Sequence, residues 1–290
     1  MKETVTVILA SDIHLCHIDW YGMQNERRVD KFFSDIRARY EQEPFDALLL
    51  LGDYSLDYWA WEIKGCFLNE GKSYSELFAI KLRQALGDLP IKISMIAGNH
   101  EQFGEEAWNR ITGFSREDVY INGDTVFLLL DTFAGNLDPT EHSDGTYTGA
   151  NVAKIKEYLQ RYSEKRFVLC AHHFDPQRES EEFRRLLRDE ERIICLFGGH
   201  VHRSCALPLG EEYGNKTLIY TGNYSYSAER PITRSMWGYR EVVLSPTELS
   251  TRYVTPENRI VTDQGEILHR SGVRDEITLS LPPNQKPEVK

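Results

Sequence analysis

Short, uninterrupted apolar runs recur along the chain, and each stops abruptly at polar residues capable of chemistry. Residues 5–10, 47–51, 91–97, 167–171 and 193–197 have the length and continuity of strands buried on both faces. They lead directly into Ser11-Asp12-Ile13-His14, Gly52-Asp53, Gly98-Asn99-His100-Glu101, His172-His173 and Gly198-Gly199-His200-Val201-His202. A sixth run, 126–130, ends in Asp131-Thr132. Between the runs lie helical periodicities. Residues 27–40 put Val29, Phe32, Phe33, Ile36 and Tyr40 on one face, 74–86 does the same with Leu77, Phe78, Leu82 and Leu86, and 152–162 and 181–187 complete the alternation.

Strand, helix and strand repeated in this way predict an α/β protein with a mainly parallel sheet and helical crossovers. Such sheets bind ligands at the carboxyl ends of their strands, so the polar residues should share one edge. After His202 the pattern turns to β-like runs at 216–221, 239–244, 250–254 and 276–281, separated by Gly, Pro and Asn turn signals. These read as antiparallel strands forming a second sheet packed on the first. The expected organisation is a single domain over 1–281, with the part after about 231 as a C-terminal β-extension and 282–290, which holds three prolines, as a flexible tail.

Composition narrows the class of function. Of 290 residues 34 are basic and 45 acidic, a formal charge of −11, which argues against a protein that holds long nucleic acids through a basic surface. No apolar run approaches the roughly 18 residues of a membrane helix, and 5–10 is too short and too soon followed by Asp12 and His14 for a secretory leader. The cysteines, Cys16, Cys66, Cys170, Cys195 and Cys205, are odd in number and lack CxxC spacing, so they read as reduced thiols. A cytoplasmic protein without a membrane partner is expected.

Six of the nine histidines stand at the strand ends, together with Asp12, Asp53 and Asn99. In Asp12-x-His14 and His200-x-His202 the i, i+2 spacing on extended backbone would turn both side chains of a pair towards one cation. Carboxylate, imidazole and amide oxygen without thiolate suit manganese, iron, zinc or magnesium. Two such ions about 3.5–4 Å apart need a bridging carboxylate and clamp both oxygens of an in-line phosphoryl displacement; Asp53 is the natural bridge. A single Asp-x-His pair is more often structural than metal-binding, but five blocks, each just behind a strand-like run, reinforce one another. His17, His142 and His269 lie outside these blocks and receive no role.

The order Asp-x-His, Gly-Asp, Gly-Asn-His-Glu, His, Gly-His-x-His, spread over residues 12–202, resembles the calcineurin-like metallophosphoesterases. The resemblance implies a four-layer αββα sandwich of two mixed β-sheets flanked by helices. It implies that Asp12, His14, Asp53 and His202 hold one metal and Asp53, Asn99, His172 and His200 the other. His100 would be the non-ligand histidine that donates a hydrogen bond or proton to the phosphate and leaving oxygen, while a metal-bridging hydroxide attacks phosphorus. Family usage makes His172 the ligand and leaves His173 near the substrate.

Two departures bear on mechanism and substrate. Many members carry an acidic residue three positions after the bridging aspartate that orients the acid histidine, whereas Asp57 follows Asp53 by four. The arginine that phosphoprotein phosphatases place shortly after that aspartate is missing from Gly52–Tyr58. The aromatic segment Tyr54, Tyr58, Trp59, Trp61 offers either core packing or a pocket wall on which a base, sugar or aryl group stacks, as do Tyr147, Tyr224 and Tyr226. Tyr54, Tyr58, Trp59 and His173 are taken as candidate substrate contacts. The expected function is metal-dependent hydrolysis of a small phosphoester, diester or monoester; the alternatives are a nuclease of the same superfamily and a non-catalytic protein-interaction module on the same fold.

Overall fold

A computed structural model describes residues 4–20, 23–57, 68–69, 72–138, 144–226, 237–256, 259–262, 265–268 and 272–281. Two six-stranded mixed sheets lie face to face. In the first, β1 (Val5–Ala10), β2 (Ala47–Leu51) and β5 (Lys92–Ile96) run parallel, and β12 (Tyr239–Leu244), β13 (Glu248–Thr255) and β16 (Gly272–Ser280) extend it antiparallel from the β1 edge. The second has β7 (Thr125–Leu130), β8 (Arg166–Ala171), β9 (Ile193–Gly198) and β11 (Thr217–Thr221) in parallel, flanked by antiparallel β6 (Asp118–Asn122) and β10 (Ser204–Pro208). Two small hairpins, β3 (Leu68–Asn69) with β4 (Lys72–Ser73) and β14 (Arg259–Thr262) with β15 (Gly265–Leu268), stand apart from both.

The apolar runs sort their side chains by parity, as the period of a strand requires. Val7, Leu9, Leu49 and Leu51 of the first sheet meet Phe127, Leu129, Val168, Cys170, Cys195 and Phe197 of the second in the central core. The alternate residues face outwards. Ile8, Leu48 and Leu50 pack under α1 (Asn25–Gln42), α2 (Tyr74–Leu86) and α3 (Glu105–Thr112), through Phe32, Phe33, Phe78, Leu82 and Trp108. Val126, Leu128, Phe167 and Leu169 pack under α4 (Val152–Arg161) and α5 (Glu181–Asp189), through Ile155, Leu159, Phe183 and Leu187. The four layers are therefore helix, sheet, sheet and helix, as the family resemblance implied. Among the described residues no helix is long and apolar enough to cross a membrane.

The residue-level expectation of one parallel sheet followed by a C-terminal second sheet is corrected. The strands divide between the sheets after β5, and the C-terminal runs do not form a sheet of their own: β11 joins the second sheet in parallel, while β12, β13 and β16 return to the first. A strand buried on both faces carries the same apolar signature in either sheet, so periodicity alone does not assign it. The half-buried β6 and α3, only eight residues long, escaped the sequence reading.

Both faces of the central strands should be equally intolerant of truncation. Leu49→Ala, between the sheets, and Leu50→Ala, under the helices, are each expected to cost about 2–5 kcal/mol. Leu207→Ala, at a position 40% exposed, should stay within about 0.5 kcal/mol. Urea unfolding midpoints at constant slope check all three.

Candidate metal centre

Asp12 and His14 follow β1, Asp53 follows β2, Asn99 and His100 follow β5, His172 follows β8, and His200 and His202 follow β9. Parallel strands put all these ends on one edge of each sheet, and the two edges meet. The seam is itself polar. Ser11 Oγ lies 2.7 Å from Thr221 Oγ1, the His200 N–H donates to Asp12 Oδ2 at 2.9 Å, and His172 Nδ1 lies 2.8 Å from the Leu51 carbonyl.

The backbone at the seam is unusual. Asp12, His14, Asp53, His200 and His202 all have left-handed φ, between 52° and 68°, a conformation that non-glycine residues adopt at some cost and that clusters at functional sites. The extended geometry expected for Asp12-x-His14 and His200-x-His202 is therefore corrected, and so is its consequence for the second pair. Asp12 and His14 converge with His202 on one centre, whereas His200 joins Asp53 and His172 on another. Glycine permits the close approach: at Gly52, φ +91°, a Cβ would come within 2.7 Å of Gly98 and of His172 Nδ1.

Asp53 occupies the middle. Its Oδ2 lies 3.2 Å from His172 Nε2, 3.4 Å from His14 Nε2 and 3.6 Å from His100 Nε2. On one side His202 Nε2 is 3.2 Å and His14 Nε2 3.9 Å from Asp12 Oδ1. On the other, His172 Nε2 and His200 Nδ1 each stand 2.9 Å from Asn99 Oδ1. Backbone carbonyls fix two of the rings: His172 Nδ1 donates to Leu51 and His202 Nδ1 to Tyr226, at 3.0 Å, which leaves each Nε2 facing the centre.

Charge and solvation agree with a cation-binding role. Burial favours the neutral Asp12 carboxyl, but the adjacent His202 imidazole outweighs it and holds the group at about 2. Burial opposes the Asp53 carboxylate as well, and the His172 and His100 imidazoles pull it well below its ordinary range. Burial drives His14 down to about 3 and, with the charge on His172, lowers His200. Burial also works against a charged His172, yet the Asp53 carboxylate raises it to about 9. Neither ring nitrogen of the buried His14 makes a hydrogen bond among the described residues, an expense that a metal bond would remove. Two carboxylates, an amide oxygen and four imidazoles aimed inwards fit a pair of hard or borderline divalent ions.

A supporting layer holds the ligand loops. Glu101 is fully buried and accepts from the N–H groups of Asp53, Tyr54 and Gly98 at 2.7–2.8 Å; burial and the nearby Asp53 push its carboxyl up to about 8. Buried Arg28 donates to the carbonyls of Ile13, His14 and Tyr224. Neither residue carried a role in the sequence reading, although Glu101 belongs to the Gly-Asn-His-Glu block.

The candidate substrate contacts divide. His173 packs beside His200, its ring 4.4 Å from that of His200 and 5.8 Å from that of Tyr147. Tyr54 is no pocket wall. It is fully buried between Phe78 and Trp108, its hydroxyl accepts from Gly52 N–H at 2.8 Å, and the Leu50 and Ile96 carbonyls flank that hydroxyl. The aromatic chain turns inwards immediately after the bridge, so core packing won. Tyr58, Trp59 and Trp61 lie outside the described residues, as do His142 and His269. Tyr224 is buried against Phe32 and Trp237. The rings beside the centre are Tyr226, 4.3 Å from His202, Trp20, 6.0 Å from His14, and Phe133, 5.7 Å from His172. Of these Trp20 and Phe133 went unnoticed, because irregular loops carry no period.

Fold and site together define a two-sheet α/β sandwich with a histidine–carboxylate centre built for two metals. The sequence model of the calcineurin-like phosphoesterases matches residues 5–204, and the chain belongs to that family. No curated protein matches the sequence. Among solved structures the chain is similar to a dimetal phosphatase from Danio rerio, with TM-score 0.64 and 13% identity over 96% of this chain and 99% of that one. It is similar to purple acid phosphatase PPD1 from yellow lupin seeds, with TM-score 0.56 and 14% identity over 97% of this chain, which spans 54% of that protein. It is also similar to GAP50, the anchor in the inner membrane complex of Plasmodium, with TM-score 0.54 and 14% identity over 98% and 91% of the two chains. These likenesses are ones of fold.

Two outcomes follow from the geometry. Tyr54→Phe leaves the Gly52 N–H without its acceptor and should cost about 1–3 kcal/mol of stability in urea unfolding, with no change in KM for any phosphoester. Against burial, the Asp53 carboxylate raises His172 to about 9 and the Asp12 carboxylate raises His202, so a cation taken up at these imidazoles would displace protons. Metal uptake should therefore release protons at pH 7, and affinity should rise with pH. Calorimetry in buffers of different ionisation enthalpy measures both.

Proposed function

We propose that this chain is a metal-dependent phosphoester hydrolase, a phosphodiesterase or phosphomonoesterase acting on a small phosphorylated substrate, with residues 1–281 forming one catalytic domain. The single observation that carries the reading is the position of Asp53 Oδ2, within 3.4 Å of both His14 Nε2 and His172 Nε2 and so shared by the two ligand groups. Asp12, His14, Asp53 and His202 would hold one ion, and Asp53, Asn99, His172 and His200 the other. Manganese, iron and zinc suit this donor set best, with magnesium acceptable to the oxygens. When bound, such ions neutralise phosphoryl charge and lower the pKa of an attacking water.

The remaining work falls to the chain. His100 stands with its Nε2 3.6 Å from Asp53 Oδ2, at the edge of the ligand group, where it can give a proton to the leaving oxygen. His173 lies beside His200 and would face the substrate. The acidic balance of the chain supports a small substrate over an extended nucleic acid. That β12, β13 and β16 complete the sheet carrying Asp12 and Asp53 supports a single domain. The reduced-thiol composition supports a cytoplasmic setting.

The test is hydrolysis of bis-(p-nitrophenyl) phosphate and p-nitrophenyl phosphate by metal-stripped protein refilled with manganese, iron, zinc or magnesium. Turnover restored by one of these ions is expected, and the diester-to-monoester ratio directs the search for the substrate. Asp53→Asn and His100→Ala should each lower turnover at least about a hundredfold in folded protein. Near-normal rates in both variants would overturn the assignment.

A further inference from the structure

His100 is flanked by carboxylates at both ring nitrogens. Nε2 faces Asp53 Oδ2 at 3.6 Å, and Nδ1 stands 3.4 Å from Asp144 Oδ1, an ion-pair distance outside hydrogen-bond geometry. The acidic residue nearest to Asp53 in sequence, Asp57, is occupied elsewhere. Its carboxylate accepts from the backbone N–H groups of Tyr74 and Ser75 at the start of α2 and from the hydroxyls of Ser55 and Ser75. Asp57 is thus a helix-end anchor.

Asp144 comes from a different part of the chain, the long connection between β7 and α4, and its neighbours are tied to the His100 loop. The Gly145 N–H donates to the Asn99 carbonyl at 2.8 Å, and a Cβ at Gly145 would meet that oxygen at 3.0 Å. Asn136 Nδ2 donates to the Asp144 carbonyl at 3.0 Å, while the Asn136 carbonyl accepts from Gln102 Nε2 at 3.1 Å. A Thr146 N–H to Gly135 carbonyl bond of 2.8 Å closes this connection on itself. Two tethers to residues 99–102, at Gly145 and Asn136, bracket the point at which the carboxylate reaches the imidazole.

From this geometry we infer that Asp144 is the positioning residue for His100, holding a proton on Nδ1 and turning Nε2 towards the reacting phosphoester. The inference rests on the phosphoesterase reading above. As the bond from water oxygen to phosphorus forms, the bond to the leaving oxygen breaks. That oxygen takes the Nε2 proton, His100 becomes neutral with its Nδ1 proton still directed at Asp144, and the proton released by the water restores Nε2 through solvent. A carboxylate at Nδ1 thereby fixes both the tautomer and the rotation of the ring. Asp144 touches neither substrate nor metal ligand in this scheme, and its side chain is half exposed, so its replacement should not disturb folding.

The experiment uses the full chain loaded with zinc or manganese and a series of aryl phosphoesters from p-nitrophenol to phenol. Asp144→Asn should lower kcat about 10- to 100-fold for the phenyl ester, whose leaving group needs the proton, and less than about threefold for the p-nitrophenyl ester. KM and bound metal should stay unchanged, Asp144→Glu should restore part of the rate, and Asp144→Asn should add nothing in a His100→Ala background. An equal loss for every leaving group, or the same loss without His100, would overturn the inference. If the wild-type protein hydrolyses none of the esters, the phosphoesterase reading fails, and the positioning claim is decided separately. Long-range ¹⁵N–¹H spectra of the zinc-loaded protein, with His100 assigned by its loss in His100→Ala, should show Nδ1 protonated and shifted by Asp144→Asn; an unmoved signal would refute the contact.

Discussion

A buried carboxylate shared by imidazoles from both sheets is the constraint around which the rest is arranged. Asp53 has almost no solvent contact, so its charge is stable only while His14, His172 and His100 stand within 3.6 Å of it. The need to bring them there explains the left-handed backbone at Asp53, the absence of a Cβ at Gly52 and the buried Glu101 that clasps the N–H groups of Asp53, Tyr54 and Gly98. Each of these would be costly in isolation. Together they convert local strain into a rigid donor set.

The same constraint ties the two sheets together at one edge. Apolar contacts hold the sheets face to face along their length but have no direction. The hydrogen bonds between Ser11 and Thr221, His200 and Asp12, and His172 and Leu51 are directional, and all lie at the carboxyl ends of the strands. Metal affinity and sheet docking are therefore coupled: ions that bind only the folded arrangement stabilise it. Arg28, reaching from α1 to the Ile13, His14 and Tyr224 carbonyls, extends the coupling to the helical layer.

The His100 side of the site is assembled differently. His100 sits beside ligands carried by strand ends, but Asp144 arrives on a long connection fastened to the His100 loop through Gly145, Asn136 and Gln102. On the proposed reading, a ligand set on strand ends and an orienting group on a separately fastened segment would divide metal binding from proton delivery. In a family whose members share a fold across different substrates, such a segment is where chemistry can be adjusted without disturbing the centre.

Much of this was legible in the sequence because it depends on residue type and local period. Continuous apolar runs marked β1, β2, β5, β7, β8 and β9, helical periods marked four helices, and the polar residues directly behind the runs named the atoms that meet at the seam. Which strand belongs to which sheet was not legible, since Val7 and Val168 carry the same signature on opposite sides of one interface. The fate of Tyr54 was equally hidden: an aromatic residue behind the bridging aspartate reads the same whether it turns to the pocket or, as it does, to Phe78 and Trp108. Spacing mispaired His200 with His202 because it assumed extended backbone where φ is positive. It also pointed to Asp57, when only chain folding decides which carboxylate reaches His100. Composition and order thus determined the chemistry that is present. Tertiary structure decided which atoms face one another, because that depends on backbone turns and long-range hydrogen bonds that leave no period in a sequence.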